Sequence, residues 1–404
     1  MKYVILLGDG MADWPVDALG GKTPLEAAKK PNMDKIAQLG AVGLVHTIPE
    51  GMPPGSDTAN LSVMGYDPKK YYSGRSPLEA VSMGVDLKQD DVAYRCNIVT
   101  LSEEGEYEDK TMLDYAAGEI STAEAQELIK ALQTVFNTES SQLYPGISYR
   151  HCMVLNHAAT GAELTPPHDI TGQPIKGKLP KGQNGQLLES LMKQSWDILS
   201  NHPVNLARKA KGLRPANSAW FWGEGTRPRL DTLAELYGLQ GGVVCAVDLI
   251  RGLGICAGMR TIEVPGATGG MVTNYEGKAR AALSLLQDGC DLVYIHVEAP
   301  DECGHQGKPE AKVDAIEHID GMLGLIMSEL DAAGEDYAIL LTPDHPTPIR
   351  VRTHVSDPVP FVLYSSKGSA GPHAPAYTEA NAKATGLYLA EGPMLMKKLV
   401  SGTF

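Results

Sequence analysis

The chain has 404 residues, with 49 acidic against 35 basic side chains and a formal net charge of −14 at pH 7. Its 43% hydrophobic and 21% charged residues are typical of a globular protein, which excludes a disordered chain, and its length excludes a minimal disulfide scaffold. The negative charge, together with the lack of a Lys/Arg-rich block, argues against nucleic acids and anionic membranes as partners.

No run of about 18 apolar residues would cross a membrane, and the N-terminal apolar run ends at Gly8, too early for a signal peptide. We therefore expect a soluble, cytoplasmic protein. The six cysteines are scattered singly without a C-x-x-C pair, so they predict neither a zinc ribbon nor a redox motif.

In chain order, residues 2–7 predict a buried parallel strand that ends at Gly8-Asp9-Gly10. Helix starts are predicted at Thr23 and Ser76, since each hydroxyl precedes a proline and has a glutamate three residues later. Further helices are predicted at 229–237, 274–287 and 311–330, and further strands at 243–247, 292–297, 337–341 and 360–364. This rhythm indicates an α/β fold with a mostly parallel sheet flanked by helices.

The middle of the chain has a different character. It combines alternating apolar residues, a Pro/Gly-rich tract at 165–185 and three tryptophans, which favour a smaller α+β unit. We therefore predict a discontinuous domain of residues 1–85 and 227–404, with residues 86–226 inserted as a second domain.

Acidic and histidine side chains follow three of the predicted strands. Asp9 follows the first strand, Asp301 and His305 follow 292–297, and Asp344 and His345 follow 337–341. His354 comes nine residues after His345. Because parallel strands bring their carboxyl ends to one edge of a sheet, these groups could converge, and carboxylates with imidazoles are ligands for divalent ions such as Zn²⁺ and Mn²⁺. Any one of them alone is more often a cap or a surface group.

Ser56 follows a glycine turn, at or near the start of a helix that runs towards Gly65. A hydroxyl there is close to backbone N–H groups and to the positive end of the helix dipole, which suits a phosphate. A plain N-cap serine is the ordinary alternative.

Five strings together resemble the cofactor-independent phosphoglycerate mutases of the archaeal type, within the alkaline phosphatase superfamily. They are VILLGDGMAD at 4–13, GSDTANLSVMGYDP at 55–68, IHVEAPDECGHQG at 295–307, LLTPDHPTP at 340–348 and RTHVSDPVPF at 352–361. The resemblance extends along the whole chain, and the order of the motifs is more specific than any single string.

The resemblance implies an alkaline-phosphatase-like sheet, two divalent ions and a serine nucleophile. One ion would be held by Asp301, His305 and His354. The other would be held by Asp9, Asp344, His345 and the oxygen of Ser56. Mn²⁺ is the expected ion, with Zn²⁺, Co²⁺ or Mg²⁺ as alternatives.

The activity implied is the interconversion of 3-phosphoglycerate and 2-phosphoglycerate in glycolysis and gluconeogenesis, through phosphoserine at Ser56 and without bisphosphoglycerate. Closure of the two domains would keep water from the phosphoserine. The substrate would be a small phosphorylated carboxylic acid; the sequence leaves the oligomeric state open.

Candidates for holding the substrate's carboxylate and phosphate are mostly cationic side chains in the inserted domain. Each has an equally ordinary interpretation as a surface or solvated side chain. They are Asp57, Arg95, Asn97, Arg150, His151, His168, Asp169, Arg227, Arg229 and Lys278, of which Lys278 resembles the family's phosphate-contacting lysine.

Other classes of protein fit less well. A metal-dependent phosphatase or another phosphomutase, such as one acting on phosphopentose, would share the metal site and differ in the inserted domain. A sulfatase would need a Pro/Arg signature at the nucleophile, and a P-loop kinase would need glycine at Val16. A binding protein that had lost its catalytic function would be expected to lack some ligands, whereas every expected ligand type is present.

Overall fold

The computed structural model describes residues 1–403, which contain fifteen strands and fifteen α-helices. The strands, β1 to β15 in chain order, are Lys2–Gly8, Ala41–Val45, Val92–Leu101, Met112–Asp114, Ser141–Tyr144, Arg150–Leu155, Ala162–Glu163, Lys181–Gly182, Ser218–Thr226, Gly241–Val244, Arg260–Thr261, Leu292–Val297, Tyr337–Thr342, Val359–Ser365 and Tyr388–Leu389. The helices, α1 to α15, are Pro24–Ala27, Pro31–Leu39, Ser56–Val63, Pro68–Tyr71, Ser76–Ser82, Thr122–Phe136, Gly185–Leu199, Pro203–Ala210, Leu233–Tyr237, Asp248–Cys256, Tyr275–Gln287, Ala299–Gln306, Pro309–Ala332, Glu379–Ala384 and Met394–Ser401.

The chain divides into two compact units. The first contains residues 1–72 and 230–404, and the second contains residues 73–229. These divisions fall at 72 and 229, whereas the sequence placed them at 85 and 226, so helix α5 belongs to the second unit.

The first unit contains an eight-stranded sheet in the order β11-β10-β12-β1-β13-β14-β2-β15. The strands from β11 to β13 are parallel, and only β14 runs antiparallel to its neighbours. This arrangement confirms the predicted α/β fold with a mostly parallel sheet flanked by helices.

The inner strands β12, β1 and β13 are largely apolar, and both faces of the sheet are covered. Val4, Leu6 and Ile295 belong to a core shared with helices α2, α11 and α13. On the opposite face, Tyr294 donates a hydrogen bond to Asn60 of helix α3 over 2.5 Å between Oη and Oδ1. This helix carries Ser56, so the second face positions the serine.

The three strands that matter for the site end at the same level. In the parallel register Gly8 pairs with Val297 of β12, and Leu7 pairs with Thr342 of β13. The residues that follow these strands are therefore neighbours in space although they are distant in sequence.

The second unit is built on a five-stranded sheet. Strand β3 pairs antiparallel with β4, β6 and β9, and β5 extends the sheet from β6. Its core combines residues of β3 and β9 with apolar side chains of helices α6 and α7. None of the helices in residues 1–403 is both long enough and apolar enough to cross a membrane.

Candidate metal centre and active site

Acidic side chains from three strand ends converge at the carboxyl edge of the first unit's sheet. Asp9 directly follows β1, Asp344 lies two residues after β13, and Asp301 lies in the first turn of α12, after β12. All three are buried, with 5% exposure or less. Buried carboxylates require partners, since an unpaired buried charge is costly.

The outer cluster consists of Asp301, His305 and His354. Nε2 of His305 lies 3.2 Å from Asp301 Oδ2, and Nε2 of His354 lies 3.3 Å from Asp301 Oδ1. The two Nε2 atoms are 3.0 Å apart. Three potential metal-ligand atoms therefore lie close together, and His305 is at the more exposed side of the cluster.

The electrostatics of the outer cluster are those of an ion-paired group. Burial alone would raise the pKa of Asp301, but the hydrogen bonds from His305 and His354 hold that pKa well below its usual value. Conversely, the hydrogen bond to Asp301 raises the pKa of His305 to about 9. A protonated His305 therefore forms an ion pair with the ionised Asp301.

The inner cluster consists of Asp9, His296, Asp344 and His345. Nε2 of His296 lies 3.1 Å from Asp9 Oδ2, and Nε2 of His345 lies 3.5 Å from both Asp9 Oδ1 and Asp344 Oδ2. Asp9, Asp301 and His345 form a further group of potential metal ligands, so the two clusters adjoin.

The inner cluster lacks enough partners for its charges. Asp9 Oδ1 and both ring nitrogens of His296 are buried without a hydrogen bond of acceptable geometry. Burial, followed by the carboxylates of Asp344 and Asp301, raises the pKa of Asp9 well above its usual value. Burial also lowers the pKa of His296 to about 4 and lowers that of His345, which favours neutral imidazoles with a lone pair to offer. Orphaned acceptors among crowded carboxylates fit a divalent cation.

Ser56 occupies the first helical position of α3, and the N-cap position is taken by Gly55. Its Oγ lies 3.1 Å from Nε2 of His345. The helix start has no side-chain cap hydrogen bond, so the serine does not act as a plain N-cap. The hydroxyl instead faces the inner cluster.

Asn60 and His296 have a place in this site that sequence reasoning missed. Asn60 Nδ2 donates 2.8 Å bonds to the Ser56 carbonyl and to Asp344 Oδ2, so it ties the helix to the inner cluster. Its position one helical turn after Ser56 was the available signal. For His296 the signal was a lone histidine inside an otherwise apolar strand, LVYIHV.

Two further candidates also lie in the first unit. Lys278 is 1% exposed and its Nζ donates to the His296 carbonyl over 3.2 Å, which places it behind the inner cluster; burial lowers its pKa. Asp57 accepts hydrogen bonds from the Thr58 N–H and from the Tyr72 hydroxyl, at 2.9 and 3.0 Å.

In the second unit, Arg95 and Asn97 converge on Trp222. The Arg95 guanidinium lies 4.3 Å from the Trp222 ring and forms a two-pronged pair with Glu79, at 2.7 and 2.8 Å. Asn97 Oδ1 accepts a 3.0 Å bond from the Trp222 indole. Arg95 is therefore held in one orientation by a carboxylate and a ring.

The remaining candidates of the second unit are dispersed. Arg150 is exposed and pairs across the sheet with Asn97, whereas the next residue, His151, pairs with Cys96 and is buried. Alternating residues of a strand point to opposite faces, so the structure separates these two side chains. Burial lowers the pKa of His151 to about 3.

The other side chains face different surroundings. The His168 ring lies 5.2 Å from the Trp222 ring, and its Nε2 is 3.5 Å from the exposed Asp169. Arg227 donates to the Leu87 carbonyl and Arg229 to the Gln89 side chain, so both are tied to the loop that follows α5.

Taken together, the sheet and the two clusters define an α/β protein with a candidate divalent-metal centre and a serine at the carboxyl edge of its strands. Comparisons with known proteins identify the family. A family model described as 2,3-bisphosphoglycerate-independent phosphoglycerate mutase matches residues 37–205. A protein of that name from Methanothrix thermoacetophila is 50% identical over 403 residues, covering 100% of both chains.

Solved structures agree with this result. A Pyrococcus horikoshii protein matches with a TM-score of 0.83 and 30% identity, covering 100% of this chain and 98% of that one. A cofactor-independent phosphoglycerate mutase from Thermoplasma acidophilum matches with a TM-score of 0.70 and 26% identity over 100% of both chains. The chain belongs to the 2,3-bisphosphoglycerate-independent phosphoglycerate mutase family, as the sequence motifs predicted.

Proposed function

We propose that this chain interconverts 3-phosphoglycerate and 2-phosphoglycerate, with Ser56 as the residue that carries the phosphoryl group and without bisphosphoglycerate. The observation that carries this proposal is the position of the Ser56 hydroxyl, 3.1 Å from His345 at the junction of the two ligand clusters. The reaction belongs to glycolysis and gluconeogenesis, and a cytoplasmic location follows from that role.

The proposed cofactors are two divalent ions. Mn²⁺ is the expected ion, with Zn²⁺, Co²⁺ or Mg²⁺ as alternatives. Asp301, His305 and His354 would hold one ion; Asp9, Asp344, His345 and Ser56 would hold the other, beside His296. The fit is supported by the orphaned Asp9 Oδ1 and by the Nε2 atoms of His305 and His354, which lie 3.0 Å apart beside Asp301. A bound divalent ion supplies a Lewis acid that lowers the pKa of a hydroxyl and offsets phosphate charge.

The chain's own residues account for the transfer. Ser56 Oγ forms a bond to phosphorus as the bond from phosphorus to the 3-oxygen of the glycerate breaks, and the serine proton ends on that oxygen. The glycerate then reorients, and its 2-hydroxyl takes the phosphoryl group from Ser56 and returns a proton to the serine. Asn60 holds the first turn of α3 against Asp344, so the attacking oxygen is fixed before the substrate binds.

Substrate recognition is assigned to the inserted segment, for which the sequence predicts the bounds 86–226, and to Lys278. Arg95, Asn97 and Arg150 lie on one face of the second unit's sheet, and they offer donors to the carboxylate or phosphate of the substrate. His168 and Asp169 belong to the same proposed set, with Asp57, Arg227 and Arg229. His151 is the weakest member because its side chain lies on the opposite face of the sheet from Arg95, Asn97 and Arg150.

The proposal is tested by supplying the purified protein with Mn²⁺ and 3-phosphoglycerate in the absence of bisphosphoglycerate. Formation of 2-phosphoglycerate is the expected result. Release of inorganic phosphate alone would favour a phosphatase, and turnover of a pentose phosphate but not of phosphoglycerate would favour another phosphomutase.

Ser56→Ala tests the nucleophile. It should abolish both turnover and the phosphoserine trapped by acid quenching, a loss of at least about 10³-fold for a removed nucleophile. Ser62→Ala is the matched control, because Ser62 lies on the same helix and its hydroxyl bonds only the Thr47 carbonyl. Near-normal turnover by Ser56→Ala would refute the assignment.

A further inference from the structure

Thr347 lies between the outer and inner clusters and touches a member of each. It is fully buried, at 0% exposure. Its hydroxyl donates a short hydrogen bond to Oδ1 of Asp301, in the outer cluster. The same oxygen lies 3.3 Å from Nδ1 of His345, in the inner cluster. One side chain thus bridges the two groups of proposed ligands.

We propose that Thr347 is a positioning residue that fixes Asp301 and His345 relative to each other and so sets the affinity of both clusters for divalent ions. The inference rests on the metal centre of the proposed function. It adds to that centre a residue that ligates nothing and acts through two ligands.

The direction of the hydrogen bonds supports this role. A threonine hydroxyl has one proton, and an ionised carboxylate can only accept, so the proton of Thr347 points to Asp301. His345 must then donate through Nδ1 to the Thr347 oxygen, 3.3 Å away. In the neutral ring Nε2 is left with its lone pair, and this is the nitrogen that faces Ser56 and Asp9.

Two glycines leave the space that Thr347 fills. A Cβ at Gly10 would lie 2.7 Å from the Cα of Asp301 and would also overlap the Thr347 hydroxyl. A Cβ at Gly304, one residue before His305, would lie 2.8 Å from Cγ2 of Thr347 and would overlap its carbonyl oxygen. The loop after β1 and helix α12 therefore both pack closely against this threonine.

The backbone of Thr347 is held from behind by a buried ion pair. Nζ of Lys312 donates to the Thr347 carbonyl over 2.9 Å and to Oδ2 of Asp13 over 2.7 Å. Lys312 is 0% exposed, and Asp13 also accepts from the N–H of Ile349 over 3.1 Å. These contacts hold the backbone on both sides of Thr347, with its hydroxyl directed at the two ligands.

Partners that orient metal ligands are worth about 10- to 100-fold in metal affinity. Thr347→Val keeps the shape of the side chain and removes the hydroxyl. We expect it to weaken Mn²⁺ binding by about 10- to 100-fold at both ion sites, measured by isothermal titration of the metal-free full-length protein. Thr347→Ser keeps the hydroxyl and should bind within about threefold of the unmodified protein.

Thr342→Val is the matched control, because Thr342 is a buried threonine at the end of β13, five residues before Thr347, whose hydroxyl bonds only backbone carbonyls. It should leave both Mn²⁺ affinities unchanged. If Thr347→Val does not give folded protein by circular dichroism, Thr347→Ala replaces it, since it removes the same hydroxyl without adding an atom.

Unchanged Mn²⁺ affinities in Thr347→Val would overturn the inference, and so would a loss confined to one ion site. In either case ion binding by the unmodified chain would leave the proposed function standing. If the unmodified chain bound no divalent ion, the metal centre itself would fail, and the inference with it.

Discussion

Ser56 shows how one position in a helix decides what a side chain can do. Gly55 takes the N-cap position with an extended backbone, at φ −167°, and Ser56 becomes the first helical residue. A serine one residue earlier would have bonded its own helix. Because the cap is a glycine, the hydroxyl is left to face His345.

Sequence reasoning reached the strand-end residues and missed those defined by distant contacts. Asp9, Asp301 and Asp344 follow apolar runs, which is a local pattern. Asn60 bonds Asp344, 284 residues away, and nothing near Asn60 in the sequence indicates that contact. Whether Ser56 acts as an N-cap likewise depends on whether the helix begins at Ser56 or one residue later. Sequence signals do not locate a helix end to one residue.

Glu379 gives a residue-scale prediction about stability and pH. It is half-buried, and its Oε1 accepts from the Asp13 N–H while its Oε2 accepts from the Thr23 hydroxyl. Burial raises its pKa to about 7. The folded state therefore holds a proton that the unfolded chain releases near its ordinary pKa, so stability should fall as pH rises towards 7, by up to about 3 kcal/mol.

Glu379→Gln removes this titration. In calorimetry of the metal-free protein, we expect the melting temperature of this variant to rise relative to that of the unmodified chain between pH 5 and pH 8. The reason is that the variant keeps the stability that the unmodified chain loses over this range. Glu335→Gln, at an exposed position, is the control and should show no such trend. A difference for Glu379→Gln that is independent of pH would contradict the assignment.

At the scale of elements, the site depends on three parallel strands that end together. Strands β12, β1 and β13 are adjacent, and their register places Val297, Gly8 and Thr342 at one edge. A shift of β12 by one residue would exchange its two faces and would take Tyr294 away from Asn60. The convergence of the ligands is therefore a property of the sheet.

Helix signals predicted some elements and misjudged others. The capping box at Thr23 is present, with Glu26 bonded back to the threonine N–H. A helix begins at Ser76 as predicted, but this serine does not cap it: the N-cap position is Arg75, and the Ser76 hydroxyl donates to the Gly223 carbonyl. Glu79, which would complete that box, instead pairs with Arg75 and Arg95. Tertiary ion pairs override a local capping pattern here.

Helix α12 allows an element-scale prediction. Gly304→Ala places a methyl group against Thr347, whose carbonyl Lys312 holds in place, so the helix must shift. We expect a loss of about 1–3 kcal/mol in the free energy of unfolding and weaker Mn²⁺ binding.

Gly321→Ala in α13 is the matched control for this change, because a Cβ there meets nothing within 4 Å. It should stabilise the protein by about 0.5–1 kcal/mol, since alanine favours the helix over glycine. Equal effects of the two substitutions would show that the space next to Thr347 is not needed.

The net charge of −14 is a property of the whole molecule and does not describe the local charge at the site. Three aspartates lie buried within or beside the two clusters, and their mutual repulsion contributes to the raised pKa of Asp9. Cations bound there would reverse the local sign of the charge and allow an anionic substrate to approach an acidic protein.

Metal removal is the prediction at this scale. Adding Mn²⁺ to EDTA-treated protein should raise its melting temperature, with each ion contributing about 2.7 kcal/mol at a concentration 100 times its dissociation constant. His305→Ala should reduce this shift, because it removes a member of the outer cluster.

The second unit provides the control. Asp90, Asp91 and His157 form another group of ligand type, but there the Asp91 oxygens accept from the backbone N–H groups of Lys88 and His157. His157→Ala should leave the Mn²⁺ shift intact. A shift abolished by His157→Ala and kept by His305→Ala would move the metal centre to the other unit.

The discontinuous first unit has a consequence for biosynthesis. Strand β1 is made first, but its partners β12 and β13 begin at Leu292 and Tyr337, after all of residues 73–229. At about 5–20 residues per second, a ribosome needs on the order of 15 to 60 s to travel from Gly8 to Leu292. During that time an apolar strand has both edges unpaired, which is a hazard for aggregation. The earliest strand of the nascent chain therefore stays unpaired until β12 and β13 have been made.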